Sequence, residues 1–258
     1  MLKKYEGIMT SKSEPVILSI TSGKGGVGKT SLSINLAYAL MYKGNRVLLV
    51  DGDLGLANVD VMLGLSVKIN IRSILESGMD PLEAIIYLDQ DLGVLPAGSG
   101  VPEMVTLGPD EQAGLGRILR TIMSGFDYVI LDTAAGIGPS VLWFNSFAHH
   151  NIIVLNPNPT SLTDAYALIK TMSKNYRGRQ FLIVLNYVRN HREDLKTYVS
   201  LEQAAKKFLS LELKFIGAVP EDDEVNMAVR KQTPFIKNAP ECNASHALKA
   251  LTEKIMKL

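Results

Sequence analysis

Seven short apolar runs, each rich in Val, Ile and Leu, recur along this chain of 258 residues and constrain its fold more than any other feature. Runs of this length and composition are typical of buried parallel strands. Helix-period segments lie between them, and such a β-α alternation requires right-handed crossovers with helices on both faces of the sheet. The sequence therefore predicts an α/β fold with a doubly wound, mostly parallel sheet. The runs are VILSIT from Val16, RVLLVD from Arg46, LGVLP from Leu92, DYVILD from Asp127, NIIVLN from Asn151, FLIVLN from Phe181 and KFIGAVP from Lys214.

The composition fits one large domain. Hydrophobic residues make up 47% of the chain, and no linker rich in Pro, Gly or Ser divides it. We expect residues 16–258 to form a single domain and residues 1–15 to form a flexible segment. No apolar stretch reaches the length of a signal peptide core or a membrane span, so a cytoplasmic location is predicted.

Charge and cysteine content exclude several function classes. The net charge is +1 and no dense Lys/Arg run is present, so strong non-specific DNA binding is not expected. The only cysteine is Cys242, which excludes an intrachain disulfide. It also excludes a metal or iron–sulfur site that needs several thiolates from one subunit.

A phosphate-binding motif lies between the first predicted strand and the first predicted helix. Residues Gly23 to Thr30, GKGGVGKT, match G-x-x-x-x-G-K-[ST] in the β-α setting that this motif requires. Glycines let the backbone curl close to phosphate oxygens, so that N–H groups and the helix N-terminus point inward. We expect Lys29 to reach the outer phosphates and Thr30 to bind Mg²⁺. Ordinary loops of this kind have no second lysine such as Lys24.

Carboxylates end two of the predicted strands, RVLLVD at Asp51 and DYVILD at Asp132. Both are therefore expected at the carboxyl edge of the sheet, where open α/β sheets bind ligands. Two carboxylates beside a phosphate loop favour a magnesium role, with loop capping as the alternative for either one. Asp53 lies beyond the strand and is expected to meet the γ-phosphate or its attacking water.

The stretch Asn186 to Arg189 indicates which base the bound nucleotide carries. GTPases commonly recognise guanine with an Asp in an Asn-Lys-x-Asp loop. Here the corresponding position holds Arg189, whose side chain has only hydrogen-bond donors and cannot accept from guanine. This favours adenine, and hence ATP. Asn186 is expected to contact the base, although Asn is also common at strand ends for turn chemistry alone.

The form SGKGGVGKT, Ser22 to Thr30, resembles the deviant Walker A motif of the MinD/ParA ATPases, and the resemblance extends from Val16 to the last helix. It implies a P-loop NTPase of MinD-like fold, a weak ATPase until it dimerises or is stimulated by a partner. It also implies that Lys24 reaches across an ATP-dependent homodimer to the phosphates bound by the other subunit. A cation from the partner stabilises a triphosphate more than a diphosphate, so ATP would favour the dimer and hydrolysis would release it.

The complete set of predicted site residues follows from the motif, the strand ends and this resemblance. The predicted catalytic residues are Lys24, Lys29 and Asp53, and the predicted metal-binding residues are Thr30, Asp51 and Asp132. The predicted nucleotide-binding residues are Gly23, Lys24, Gly25, Gly26, Val27, Gly28, Lys29, Thr30, Ser31, Asn186, Pro220 and Asp222.

Four stretches have a more specific resemblance: DGDLGLANVDVMLGL from Asp51, LGVLPAGSG from Leu92, DTAAGIGPSV from Asp132 and PTSLTDAYALIK from Pro159. They are more similar to the flagellar-number regulators called FlhG, FleN or YlxH than to cell-division MinD. This resemblance implies a switch that regulates the number or placement of bacterial flagella. It implies as partners an enhancer-binding transcription activator, FlhF, or components of the basal body or switch complex. Residues 1–15 lack the D-Q-A-x-x-L-R segment with which many of these regulators stimulate FlhF, and this favours the activator.

Three alternatives stay open: a DNA-partitioning ParA-like ATPase, a septum-placing MinD-like ATPase, and a metabolic ligase with the same loop. The charge balance gives little support to the first. MinD carries an amphipathic tail past its last domain helix that this chain lacks, and no motif marks a ligase substrate pocket.

The last predicted helix, Ser245 to Leu258, has apolar residues at helical spacing. This stripe is expected to pack in the core, with peripheral contact at a membrane or cell pole as the alternative. The segment Ser161 to Asp164 is expected to cap the helix that runs to Lys174.

Overall fold

The computed structural model describes residues 14–53, 58–71, 73–74, 79–97, 108–176 and 180–258. The predicted flexible segment, apart from Glu14 and Pro15, lies outside these residues, as do residues 54–57 and 98–100 of two of the quoted stretches. The strands are β1 Val16–Ser22, β2 Val47–Gly52, β3 Ile86–Asp89, β4 Leu92–Leu95, β5 Tyr128–Ala135, β6 His150–Leu155, β7 Phe181–Val188 and β8 Leu213–Pro220.

These eight strands of the described ranges form one sheet in the order β3-β4-β2-β5-β1-β6-β7-β8. All neighbouring pairs are parallel except β3 and β4, which are antiparallel. The order reverses direction on either side of β1, as a doubly wound sheet requires. The predicted fold class and all seven predicted strands are confirmed, whereas β3 was not predicted.

Helices accompany the sheet in the part of the chain that the structure describes, together with a 3₁₀ turn at Pro81–Ala84, and Ile71, Ser73 and Ile74 are also helical. The helices are α1 Lys29–Tyr42, α2 Val59–Leu63, α3 Pro109–Met123, α4 Pro139–Phe147, α5 Pro159–Asn175, α6 His191–Leu209, α7 Asp223–Arg230, α8 Phe235–Asn238 and α9 Asn243–Ile255.

Side chains of the central strands alternate between two cores, because successive residues of a strand point to opposite faces of a sheet. On β6, Ile152 and Val154 pack with α1, α8 and α9, whereas Ile153 and Leu155 pack with α5 and α6. A third cluster places α3 and α4 beneath β2 and β5. Burial on both faces explains why the strand sequences are continuous apolar runs.

The apolar stripe of α9 lies in the core. Leu248, Leu251 and Ile255 are at most 2% exposed and belong to the cluster that contains α1, while Leu258 is 39% exposed. The core-packing expectation for this stripe is confirmed. Among the residues that the structure describes, none of the helices combines the length and apolar character needed to cross a bilayer.

Several predicted boundaries are wrong. Strand β2 continues one residue past Asp51, to Gly52, and α9 spans Asn243–Ile255 instead of Ser245 to Leu258. Helix α5 begins at Pro159, and its cap is Asn158, whose Oδ1 accepts a hydrogen bond from Ser161 N at 2.8 Å. Proline at the first helical position and asparagine at the N-cap are both favoured, so the helix starts before Ser161. Strand β5 does not end at Asp132, because its pairing with β1 continues to Ala135.

Candidate functional site

The phosphate loop connects β1 to α1 at the carboxyl edge of the sheet. Strand β1 ends at Ser22, and α1 begins at Lys29 directly after the loop. Val27 is 2% exposed and anchors the loop in the core, while Lys24, Gly25 and Gly26 are exposed. The N-terminus of a 14-residue helix therefore opens onto an exposed glycine-rich backbone, an arrangement that favours anions.

Two glycines of the loop occupy positions where a larger residue would not fit. Gly28 has φ of +89°, and a Cβ there would lie 2.3 Å from Asn186 Nδ2. Gly23 packs on α5, where a Cβ would lie 2.1 Å from Asp164 O. The left-handed backbone and these close approaches explain why the motif needs glycine at both positions.

Lys29 lies at the base of the loop with its ammonium near two carboxylates. Its side chain is 8% exposed, and Nζ donates to Ser22 Oγ at 3.0 Å. Burial lowers the pKa of Lys29, while the charges of Asp132 and Asp53 oppose this shift. The Lys29 ammonium is thus held where it can bind an anion in the loop.

Asp132 accepts hydrogen bonds from two hydroxyls at the start of α1. Ser33 Oγ lies 2.8 Å from Asp132 Oδ1, and the Thr30 side chain provides the other hydrogen bond. Burial raises the pKa of Asp132 to about 6, with Thr30, Ser33 and Lys29 acting in the opposite direction. Ser33 was not predicted, although it lies one helical turn after Lys29 and therefore on the same face of α1.

Asp51 lies beside Asp132 in the register of β2 and β5 and is fully buried. Its carboxylate accepts hydrogen bonds from the backbone N–H groups of Asp53, Asn58 and Val59 at 3.0, 3.1 and 3.2 Å. Burial and the charge of Asp132 raise the pKa of Asp51 to about 8. The three backbone donors give Asp51 a loop-holding role, the alternative to metal binding, and its metal role stays a prediction.

Asp53 and Lys24 lie on opposite sides of the loop. Asp53 is partly exposed and accepts from Asn58 Nδ2 at 3.5 Å. Lys24 Nζ donates to Thr160 Oγ1, at the start of α5, at 2.9 Å. In the single chain, the Lys24 ammonium therefore binds the start of α5.

The three predicted residues farthest along the sequence converge on one pocket beside the loop. Asn186, Pro220 and Asp222 line it together with Gly28 and Ser31, and the other lining residues are Leu32, Tyr187, Val219, Val225 and Phe235. Its lining combines apolar side chains with a few polar groups, the mixture that is typical of ligand pockets.

Asn186 supports the loop from within β7, since its Nδ2 donates to Val27 O at 2.8 Å. This hydrogen bond gives Asn186 a structural role in the loop, and its base contact stays a prediction. Its neighbour Tyr187, which was not predicted, has φ of +58°, a conformation that is uncommon for residues other than glycine. Asp222 caps α7, and its two oxygens accept from Glu224 N and Ala244 N.

The oxygen ligands beside the loop fit Mg²⁺ in combination with phosphate. In the described ranges no group of three or more His, Cys, Asp or Glu residues is arranged to hold a metal ion. Mg²⁺ is commonly bound through one or two carboxylates or hydroxyls together with substrate phosphates and water. Thr30 and Asp132 supply such oxygens next to Lys29.

Comparison with known proteins gives consistent results. The ParA family model, described as "NUBPL iron-transfer P-loop NTPase", matches residues 14–256. The antiactivator FleN of Pseudomonas aeruginosa is 38% identical over 93% of this chain and 85% of its own. The flagellum site-determining protein YlxH of Helicobacter pylori is 36% identical over 93% of this chain and 81% of its own.

Among solved structures, the septum site-determining protein MinD of Pyrococcus horikoshii, complexed with Mg-ADP, superposes with a TM-score of 0.78. It is 26% identical to this chain and the match covers 94% of this chain and 96% of that one. The structural similarity therefore extends over nearly the whole of both chains.

Proposed function

Because this chain belongs to the ParA/MinD family of P-loop NTPases, which are ATPases, we propose that it is an ATP-dependent dimerising switch that regulates the number or placement of bacterial flagella. The observation that carries the proposal is the two-lysine phosphate loop in a chain similar to FleN over 93% of its length. The single cysteine gives no support to an iron-transfer role. We further propose that residues 16–258 act as one domain in the cytoplasm, with at most peripheral contact at the cell pole or inner membrane.

The phosphates of ATP bind over the loop in this proposal. The backbone of Gly23 to Thr30 and the N-terminus of α1 attract them, and Lys29 neutralises charge at the outer phosphates. Mg²⁺, held by Thr30 with Asp132 and Asp51 nearby, supplies charge neutralisation to the phosphate oxygens when bound. A cation beside Asp132 would lower the pKa of this carboxyl from about 6 and so favour its ionised form.

Hydrolysis is proposed to depend on Asp53 and Lys24. Asp53 is proposed to position the attacking water, because it is partly exposed and its charge already acts on Lys29. Lys24 is proposed to leave Thr160 and reach the phosphates bound by a second copy. Turnover is then slow in the single chain and rises on dimerisation or partner binding.

Adenine is favoured over guanine because the position of the usual guanine-binding Asp holds Arg189, and the one acidic residue among the described residues that line the pocket is used as a helix cap. Asp222 lines the pocket, but both of its oxygens already accept backbone hydrogen bonds, so it is held as a helix cap. Arg189 forms an ion pair with Glu221 and offers no acceptor. Calorimetry with ATP and GTP in Mg²⁺ tests this choice: we expect ATP to bind at least about tenfold more tightly, a difference of roughly 1.4 kcal/mol. Equal or tighter GTP binding would contradict it.

The partner is proposed to be a flagellar regulatory protein. An enhancer-binding transcription activator is the first candidate, with FlhF or switch-complex components as the others. FleN is named an antiactivator and YlxH a flagellum site-determining protein, and both names support this class of partner. Strong non-specific DNA binding is not part of the proposal.

A deletion and complementation experiment tests the cellular role. Removing the gene should change the number or position of flagella counted by electron microscopy, and the wild-type gene should restore them. Lys29→Ala, which lacks the phosphate contact, should fail to restore them at equal protein level. Unchanged flagella in the deletion strain, together with salt-sensitive binding to random DNA in the presence of ATP, would favour the DNA-partitioning alternative.

A further inference from the structure

A buried polar network joins α4 to β1, the strand that leads into the phosphate loop. Asn145 on α4 donates from Nδ2 to Thr21 Oγ1 at 3.1 Å and accepts at Oδ1 from Ser19 Oγ at 2.7 Å. Asn151 on β6 donates to Ser19 Oγ at 2.7 Å and to Asn145 O at 3.0 Å. All four side chains are fully buried. The helix and the strand are thus held together by hydrogen bonds in an apolar interior.

The network leaves one of its polar atoms without a hydrogen bond. Asn151 Oδ1 is buried and has no hydrogen-bond partner within the described residues. Leaving such an atom unsatisfied costs free energy, whereas apolar side chains of similar volume often pack at no such cost. A buried polar network fixes the relative positions of its members, and here it fixes α4 against β1.

A second contact clamps the turn before α4 to the same strand. Gly136 N donates to Ser22 O at 2.9 Å. Ser22 in turn accepts from Lys29 Nζ at 3.0 Å and donates to Lys24 O at 2.6 Å through its hydroxyl. Helix α4 and its preceding turn are therefore tied to Thr21 and Ser22, the two residues directly before the loop.

We propose that Asn145 is a positioning residue that couples α4 to the phosphate loop, so that nucleotide in the loop changes the setting of α4. The inference rests on the proposed function, since it requires nucleotide to bind there. The surface that would change carries Ile137, which is 51% exposed, and the half-buried Trp143. The ring centroids of Trp143 and Phe147 lie 4.5 Å apart. Nucleotide state would thereby reach an exposed face of the protein without a change in the sheet.

The hydroxyl of Thr21 offers a way to test this coupling by itself. Thr21→Val removes the acceptor of Asn145 Nδ2 but keeps the shape of a β-branched strand residue, and Nδ2 retains its bond to Val141 O at 2.8 Å. Thr21→Ser keeps the hydroxyl and is the conservative rescue. Thr252→Val is the matched control, because Thr252 is also buried and its hydroxyl donates to Leu248 O at 2.8 Å on α9.

The readout is the emission of Trp143, the single tryptophan of the chain, with Mg-ATP and Mg-ADP, alongside calorimetric ATP affinity. In the wild type we expect the emission to differ between the two nucleotides. Thr21→Val should lose more than half of that difference while its ATP affinity stays within about threefold of wild type. Thr21→Ser and Thr252→Val should behave as the wild type does.

Each outcome decides the proposal. If the wild type binds ATP but its emission does not respond, or if Thr21→Val keeps the full response, the coupling is overturned and the proposed function stands. If the wild type binds no ATP, the proposed function fails and the coupling fails with it. If circular dichroism shows that Thr21→Val is unfolded, Asn145→Ala is judged by the same criteria.

Discussion

Replacing the buried carboxylate of Asp132 with its isosteric amide should stabilise the nucleotide-free protein at neutral pH. Asp132 is 2% exposed, and burial raises its pKa from 3.8 to about 6. Because the folded pKa is raised, the protonated carboxyl contributes stability that is fully present below about pH 4. That contribution is lost as the pH rises through about 6. Asp51, with a pKa of about 8, extends the same trend to higher pH.

The size of the effect follows from the two pKa values of Asp132. The difference between about 6 and 3.8 corresponds to about 3 kcal/mol, because one pKa unit is worth about 1.4 kcal/mol. Asparagine does not ionise, and its Oδ1 can still accept the hydrogen bond from Ser33. Asp132→Asn should therefore exceed the wild type in unfolding free energy by about 3 kcal/mol at pH 7.5, with no advantage at pH 4.

Urea denaturation followed by circular dichroism, in chelator and without nucleotide, measures this difference at each pH. The two proteins should have equal m-values, so that a shift in midpoint reports stability. Asp89→Asn, which changes an exposed carboxylate on β3, is the control and should show no comparable gain. The reasoning is refuted if Asp132→Asn is no more stable than the wild type at pH 7.5, or if its advantage is undiminished at pH 4.

The other predictions concern the loop. Lys29→Ala should abolish calorimetric binding of ATP because the loop loses its outer-phosphate cation, and retained binding would contradict that role. Lys24→Ala should bind ATP as a monomer but fail to dimerise or hydrolyse it, and an ATP-bound Lys24→Ala dimer in light scattering would exclude action across the dimer. Gly28→Ala should lose about 2–4 kcal/mol in urea denaturation, since a left-handed alanine and a displaced Asn186 hydrogen bond both cost free energy; a loss near zero would contradict the packing described here.

Local patterns were sufficient for most of the fold. The seven predicted strands and the phosphate loop are segments whose own composition determines burial on both sheet faces or a tight glycine turn. Even the distant residues Asn186, Pro220 and Asp222 share one pocket, because the carboxyl ends of parallel strands meet at one edge of the sheet.

The features that were missed depend on contacts between distant residues. Ser33 has a role only because α1 presents it to Asp132, and a lone Ser in a helix carries no such signal. Strand β3 is four residues long and pairs only at the edge of the sheet, so its pattern is too short to stand out. The three backbone donors of Asp51 belong to Asp53, Asn58 and Val59, up to eight residues further along the chain, and the strand pattern carries no signal for them. The network of Asn145 joins residues more than a hundred positions apart.

The central claim is that ATP joins two copies of this chain, and the water-positioning residue offers the most direct test. Asp53→Ala should bind Mg-ATP with normal affinity but hydrolyse it slowly, because water positioning matters chiefly in the transition state. Size-exclusion chromatography with light scattering should then show a long-lived dimer of Asp53→Ala in Mg-ATP and a monomer in Mg-ADP. A monomer in Mg-ATP, at concentrations where calorimetry shows the site to be saturated, would contradict the account.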